Sequence, residues 1–275
     1  MRDAAVDGKT GQLELLVRQV LETSKYRNVC VDFVRNTGKR ELCKRRSLKE
    51  AVKATKNKLH QIAGAYFLTK PDYDAWLEEL RRARMTGDEA LFLETCRKVM
   101  GYHHSTRERL EDLEEFYASV FSSLSRVDSI LDIACGFHPL AIPWMPLSRR
   151  VKYYAFDIYE DLASFLNGYM NLVNVEGCAE TRDVVQNPPE TKADLAFILN
   201  TMPCLEQIER SAGLRVLECT RADFLVVSFP TRSLGRRDKG MREYYGTMFN
   251  KLAQEKDWAV QCFEFESELV YVAQR

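Results

Sequence analysis

Long hydrophobic runs are missing from this 275-residue chain: nowhere do eighteen apolar residues follow one another, so no membrane span is expected. The first residues include Arg2, Asp3, Asp7 and Lys9 and hold no apolar stretch, which argues against a secretory signal. Eight cysteines, at 30, 43, 96, 135, 178, 204, 219 and 262, never fall at a Cys-x-x-Cys spacing. Neither a zinc knuckle nor any other metal site is therefore expected. Most of these cysteines sit in apolar contexts and read as small core residues of a reducing, cytoplasmic compartment. Repeats and low-complexity linkers are absent, and no His/Asp or Cys/His catalytic constellation stands out. Net charge is lacking as well, with 40 Lys or Arg against 40 Asp or Glu.

That balance conceals an uneven distribution. Residues 18–70 hold fourteen basic side chains against Glu22, Asp32, Glu41 and Glu50, a local excess of ten that the rest of the chain cancels. A neutral protein with one strongly basic segment presents a localised face to a polyanion, and nucleic acid is the expected partner. The plainer alternative is a solvated helical surface.

Helical spacing dominates the first part of the chain. Residues 12–22 place apolar side chains at helical intervals, and Ser24-Lys25-Tyr26-Arg27 interrupts them. Ser47 with Glu50 three residues later forms a capping box, which predicts a helix to about Ile62. Its buried stripe would be Val52, Thr55, Leu59 and Ile62, with Lys49, Lys53, Lys56 and Lys58 mostly on the other side. Helices are expected over 71–83 and 87–100, and another from Ser105, so that residues 1–120 form an all-helical, basic domain. From 129 the pattern becomes an alternation of strands and helices. Strands are expected near 129–134, 152–157, 194–199 and 223–229, helices near 159–174 and 204–220, and a closing antiparallel pair near 257–265 and 267–273. Such alternation predicts an α/β fold, with a Rossmann-like parallel sheet covered on both faces over residues 121–275.

The segment Ile130-Leu131-Asp132-Ile133-Ala134-Cys135-Gly136 reads as a buried strand ending in a tight turn, and Tyr153-Tyr154-Ala155-Phe156-Asp157 as a second strand closed by a carboxylate. Together they place a nucleotide-type site at the carboxyl edge of a parallel sheet, with the acid accepting from ribose hydroxyls. One glycine stands where a dinucleotide fingerprint wants three. A pyrophosphate needs more backbone amides than that turn offers, so a cofactor with a ribose and no phosphate fits better, and S-adenosylmethionine is the common one.

Several further motifs accompany this signal. His103-His104-Ser105-Thr106-Arg107-Glu108-Arg109-Leu110 precedes the sheet, and Asp132-Ile133-Ala134-Cys135-Gly136-Phe137-His138-Pro139-Leu140 opens it. Thr201-Met202-Pro203-Cys204-Leu205-Glu206 follows, then Ser228-Phe229-Pro230-Thr231-Arg232-Ser233-Leu234-Gly235 and Lys239-Gly240-Met241. Lys58-Leu59-His60 and Gly64-Ala65-Tyr66 lie upstream. In order and spacing, from Ser24 to Tyr271, the chain resembles the aminoglycoside-resistance 16S rRNA (guanine-1405 N7) methyltransferases.

This resemblance implies a class I S-adenosylmethionine-dependent methyltransferase sheet and an activity on 16S rRNA of the 30S subunit, with S-adenosylhomocysteine as product; a monomer is expected, although the sequence itself does not give the oligomeric state. It implies that Arg109 pairs with the methionine carboxylate of the cofactor, while His103, Ser105, Thr106 and Tyr66 shape that end of the pocket. Ala134 and Gly136 would line the turn, Asp157 would hold the ribose, and Ile158 would lie beside the adenine. Val184 would border the adenine, with Asp183 accepting from the exocyclic amine. Asp183 could equally be a loop carboxylate capping a turn. Lys25, Lys56, Lys58 and His60 match positions that meet rRNA. Arg232, Arg237 and Met241 match the loop that approaches the target nucleotide, and Asn200, Arg232 and Met241 are the candidates nearest the chemistry.

N7 of guanine carries an in-plane lone pair and no proton, so its attack on a sulfonium methyl needs no general base, and alignment with desolvation suffices. Three positions depart from the family pattern. Asn200 stands where lysine is usual, and His138 and Tyr244 each replace an asparagine. The departures imply a divergent activity, weakened or moved to another nucleotide. A methyltransferase of another substrate and a non-catalytic RNA-binding homologue are the alternative readings.

Overall fold

In a computed structural model of the chain the described residues are 2–231 and 241–275. Among them, seven strands form one sheet in the order β3-β2-β1-β4-β5-β7-β6: β1 (Ser129–Ile133), β2 (Lys152–Asp157), β3 (Glu176–Thr181), β4 (Ala193–Leu199), β5 (Ala222–Pro230), β6 (Ala259–Glu264) and β7 (Glu268–Gln274). The first five run parallel, and β7 is antiparallel to both β5 and β6. Strand order reverses at β1, which has β2 on one side and β4 on the other. Such a reversal opens a crevice at the carboxyl ends of the strands.

Both faces of the sheet are covered, and for that reason its inner strands are almost continuously apolar. Ile130, Tyr153, Leu195, Phe197 and Val226 face one core, and Leu131, Ile133, Ala196, Ile198, Leu225 and Val227 face the other. Against the second core pack α9 (Met202–Ile208), α10 (Ala212–Cys219) and α11 (Met241–Glu255). The first core is shared with α8 (Glu160–Leu172) and with the helices that precede the sheet, apart from the short α6. These are α1 (Arg2–Leu21), α2 (Val31–Lys44), α3 (Leu48–Leu59), α4 (Tyr73–Met85), α5 (Glu89–Met100), α6 (His104–Arg109) and α7 (Leu113–Ser122). Trp76, Leu80, Phe92 and Phe116 bring α4, α5 and α7 into the same cluster as the sheet residues.

Local chemistry explains where the helices begin. Ser47 Oγ accepts the Glu50 N–H at 3.3 Å, as the capping pattern predicts, and Asp72 and Asp88 accept from Ala75 and Leu91 at 3.2 and 3.1 Å. A five-residue π-helical turn, His60–Gly64, continues α3 beyond its last α-helical residue. Insertions of this kind are frequent at functional sites.

The structure corrects three expectations. The segment after Arg27 is not merely an interruption, because α2 occupies Val31–Lys44 and buries Phe33, Val34, Thr37, Gly38 and Glu41. Its buried face contains a threonine, a glycine and a glutamate, so apolar periodicity gives no sign of it. The single helix expected over 204–220 is two, broken at Ser211, whose φ is 62°. Glu206 supplies the cap there, accepting the Ser211 and Gly213 N–H groups at 2.9 and 3.1 Å. Strand β3 has no counterpart among the expected strands. It is an edge strand of sequence Glu-Gly-Cys-Ala-Glu-Thr, polar along most of its length.

The basic segment is sewn to the sheet edge by backbone and side-chain bonds. Cys30 N–H donates to the Ile158 carbonyl at 2.7 Å, and Glu160 N–H donates to the Asn28 carbonyl at 2.7 Å. Asn28 Nδ2 donates to Asp161 Oδ2 at 2.7 Å, and Arg40 pairs with Glu209 at 3.1 Å.

Candidate cofactor cleft and nucleic-acid face

Three consecutive structural decisions make the cleft. β1 ends at Ile133, and the chain then turns through Ala134 and Gly136, both at φ 52°. β4 ends next to it in Asn200, at φ 54°. Left-handed backbone at non-glycine positions costs of order 1 kcal/mol and concentrates where function requires it. Gly136 is required twice over. Besides its positive φ, a Cβ on it would lie 2.8 Å from His103 Cε1.

Asp157 closes β2 opposite this turn. Its Oδ2 accepts the Gly136 N–H at 2.9 Å and its Oδ1 accepts the Ile158 N–H at 2.7 Å. Burial pushes its carboxyl upward, and backbone N–H groups of Gly136, Ile158 and Tyr159 oppose that shift by favouring the anion. A carboxylate offers about four acceptor sites, so room remains for a ligand hydroxyl.

The cleft encloses about 750 Å³ including its mouth. Tyr66, His103, Ser105, Ala134, Gly136, Asp157, Ile158, Asp183, Val184 and Asn200 all line it, so ten of the residues singled out in the sequence converge on one place. Phe33, Ile62, Ala63, Leu162, Leu205 and Ile208 supply apolar wall, and Thr201 and Cys204 add polar atoms. The only charged lining groups among the described residues are the carboxylates Asp157 and Asp183, and neither lysine nor arginine is present. Among the described residues a phosphorylated nucleotide would find no lysine or arginine as counter-charge. A largely apolar cleft with two carboxylates suits a phosphate-free nucleoside of positive charge, and so fits S-adenosylmethionine.

Asp183 is buried and held on both of its oxygens. Its Oδ1 accepts the Val185 and Gln186 N–H groups at 3.2 and 3.3 Å, and its Oδ2 accepts Asn36 Nδ2 at 2.9 Å. It caps the turn after β3 and also faces the cleft, so the two readings of this residue are compatible.

His103 is buried, with its Nδ1 3.1 Å from Ser105 Oγ and its ring stacked on Tyr66 at 5.8 Å between centroids. Burial lowers its pKa to about 3, so it adds no charge to the cleft at neutral pH. Tyr66 reaches across to α9, its hydroxyl 2.9 Å from Cys204 Sγ, and burial pushes the Cys204 thiol up to about 11.

Two candidates stand behind the wall. Thr106 Oγ1 donates to the Met100 and His103 carbonyls at 2.7 and 3.1 Å and so fastens the start of α6. Arg109 is 1 % exposed. Its Nε and Nη2 donate to the two Glu268 oxygens at 2.5 and 2.8 Å, with the guanidinium 4.6 Å above the Phe116 ring. The fork is thus closed on β7 of the protein itself.

Asn200 is well matched to its backbone. Its N–H donates to the Ser228 carbonyl and hydroxyl at 3.1 and 3.0 Å. Asparagine tolerates the left-handed region better than a long side chain does. His138, the second departure, is buried below the turn, its Nδ1 2.8 Å from Asp132 Oδ2, to which the Tyr153 hydroxyl also donates at 2.7 Å. Tyr244, the third, is exposed on α11. Met241 begins α11, while Arg232 and Arg237 lie outside the described residues.

The basic face adjoins the cleft through the π-helical turn. Ile62 and Ala63 of that turn line the cleft, while His60 faces outward with its Nδ1 3.1 Å from Lys25 Nζ. Lys49, Lys53, Lys56 and Lys58 have no acidic partner among the described residues. Lys44, Arg45, Lys53 and Lys58 line a groove between α2 and α3 in which Glu41 and Glu50 are the acids.

No helix among the described residues is long and apolar enough to cross a membrane. Residues 22–272 match the family model described as ribosomal RNA methyltransferase (FmrO). A 16S rRNA (guanine(1405)-N(7))-methyltransferase of Frankia casuarinae is 37% identical, covering 100% of this chain and 99% of its own. One of the same description from Micromonospora rosea is 35% identical over 95% of this chain and 96% of its own. The 16S rRNA methyltransferase RmtF, solved in complex with S-adenosyl-L-homocysteine, superposes with a TM-score of 0.82 at 29% identity, over 96% of this chain and 98% of its own. Cleft, sheet order and sequence agree, and the chain belongs to the FmrO family of ribosomal RNA methyltransferases.

Proposed function

We propose that this protein transfers a methyl group from S-adenosylmethionine to N7 of guanine 1405 in 16S rRNA, the activity named for its relatives, and thereby confers aminoglycoside resistance. It is proposed to act as a monomer on the assembled 30S subunit in the cytoplasm, with residues 1–120 meeting rRNA and residues 121–275 carrying methyl transfer. The observation that carries this reading is the adjacency of two features among the described residues: a cleft lined by two carboxylates and no lysine or arginine, and a basic face on which Lys49, Lys53, Lys56 and Lys58 have no acidic partner.

The bound cofactor supplies an electrophilic methyl group on a positively charged sulfur. Asp157 would accept from the ribose hydroxyls and Asp183 from the exocyclic amine, while Ile158 and Val184 flank the adenine. Ala134 and Gly136 allow close approach at the turn. Tyr66, His103 and Ser105 form the methionine end, and Thr106 holds α6 in place behind them. The neutral His103 does not repel a sulfonium. With Nε and Nη2 of Arg109 committed to Glu268, its contact with the methionine carboxylate falls to Nη1, a single point in place of a fork.

Asn200, at the end of β4, would orient the target base, with Met241 and Arg232 completing the approach. N7 needs no proton removed, so these residues serve by placement and by excluding water. Lifting the nucleotide from its stack costs a few kcal/mol. Phosphate contacts from Lys25, Lys56, Lys58, His60 and Arg237 offset that cost and read the folded shape of rRNA.

Expression in a drug-sensitive bacterium tests this reading. The intact chain should protect against 4,6-disubstituted deoxystreptamines, and an Asp157→Ala variant should not. Sensitivity with both proteins soluble would contradict it.

A further inference from the structure

Helix α2 carries a contact toward the cleft that its sequence does not advertise. Asn36 lies between Phe33, which lines the cleft, and Arg40, which pairs with Glu209. Its side chain faces Asp183 Oδ2 at 2.9 Å. A carboxylate cannot donate, so the amide nitrogen must be the atom turned toward it.

Asp183 is 4 % exposed and hangs from two distinct supports. Oδ1 is held by its own turn, through the Val185 and Gln186 N–H groups at 3.2 and 3.3 Å. Oδ2 is held by Asn36, the one partner for that oxygen among the described residues. A carboxylate gripped on one oxygen alone can rotate about its Cβ–Cγ bond. Gripped on both, it presents the second lone pair of Oδ2 in a fixed direction.

We propose that Asn36 is a positioning residue for the cofactor's base: from the basic segment it locks Asp183 Oδ2 so that its free lone pair accepts from the exocyclic amine of adenine. This rests on the reading that Asp183 receives that amine. Recognition of the base is then divided between the two halves of the chain, because the donor is on α2 and the acceptor follows β3.

The test compares two ligands by calorimetry, S-adenosylhomocysteine and S-inosylhomocysteine, in which a carbonyl replaces the amine. The proteins are wild type, Asn36→Leu and Asn36→Ala. Leucine keeps the approximate size of asparagine without its donor, and thermal unfolding of the unliganded proteins confirms that each variant is folded. Wild type should prefer the adenosyl ligand by about tenfold or more, the scale of one hydrogen bond to a charged group. Both variants should shrink that preference to about threefold or less while binding the inosyl ligand about as well as wild type does. A purely structural contribution would weaken both ligands equally and leave the ratio intact, and that result would overturn the role of Asn36 while sparing Asp183. Equal binding of the two ligands by wild type would overturn the reading of Asp183 and this proposal with it.

Discussion

Replacing Glu268 by glutamine removes one negative charge and little volume from the most deeply buried ion pair among the described residues. Arg109 and Glu268 are each 1 % exposed, and two hydrogen bonds at 2.5 and 2.8 Å join them. The guanidinium cannot shed its proton. In Glu268→Gln it would remain charged under the sheet edge, with the Phe116 ring and a neutral amide for company. Breaking one side of such a pair costs about 3–5 kcal/mol, because the surviving charge is left unpaired. For a chain of this size that corresponds to a melting temperature lower by about 6–20 °C. Arg109→Met should cost a similar amount by stranding Glu268. The double variant Arg109→Met/Glu268→Gln removes both charges and should recover most of the loss. Urea unfolding of the four proteins closes the cycle. A Glu268→Gln protein within about 1 kcal/mol of wild type would refute the reasoning, as would a double variant whose loss equals the sum of the singles. The same proteins read the proposed contact of Arg109 with the cofactor: S-adenosylhomocysteine should stabilise Glu268→Gln more than wild type, because the ligand carboxylate then meets an unneutralised cation.

Further predictions concern the cleft and the basic face. His103 has a pKa lowered from 6.5 to about 3 by burial, so between those values the unfolded chain binds a proton that the folded chain refuses. Stability should therefore fall on acidification below pH ~6.5, by about 1.4 kcal/mol per pH unit from this group, and His103→Gln should flatten that slope in urea titrations. At Asn200, where φ is 54°, Gly should be tolerated, whereas Ala should be about 1 kcal/mol less stable than Gly in chemical denaturation; equal stabilities would remove the strain assigned to this position. The Lys53→Ala/Lys58→Ala pair should make binding to 30S subunits less dependent on salt, lowering the log–log slope by about 2 and leaving affinity for S-adenosylhomocysteine unchanged in calorimetry.

Much of this molecule is legible in its residues. The strand-turn-strand arithmetic from Ile130 to Asp157 locates the cofactor edge, because burial on both sheet faces forces apolar runs and the close approach of His103 forces glycine at 136. The capping box at Ser47 is seen as written. Harder to read is whatever depends on tertiary partners. Helix α2 is stabilised by a glycine that lets Leu16 approach, since a Cβ on Gly38 would lie 2.4 Å from Leu16 Cδ2, and by a buried Glu41 held by Arg45. Neither looks like core in a one-dimensional pattern. The pattern therefore does not show Phe33 as cleft wall or Asn36 as a neighbour of Asp183. Thr201 and Cys204 belonged to a motif that was visible, Thr-Met-Pro-Cys-Leu-Glu, yet their place on the cleft follows only from β4 ending beside β1. The fork of Arg109 is the clearest case: its partner Glu268 lies 159 residues away, on a strand added to the far side of the sheet.

The decisive measurement is mass mapping of 16S rRNA after 30S subunits are incubated with the purified chain and S-adenosylmethionine. One added methyl group on guanine 1405, lost in an Asp157→Ala variant, is the predicted result. A methyl group on a different nucleotide, or unmodified rRNA from a protein that still binds the subunit, would contradict it.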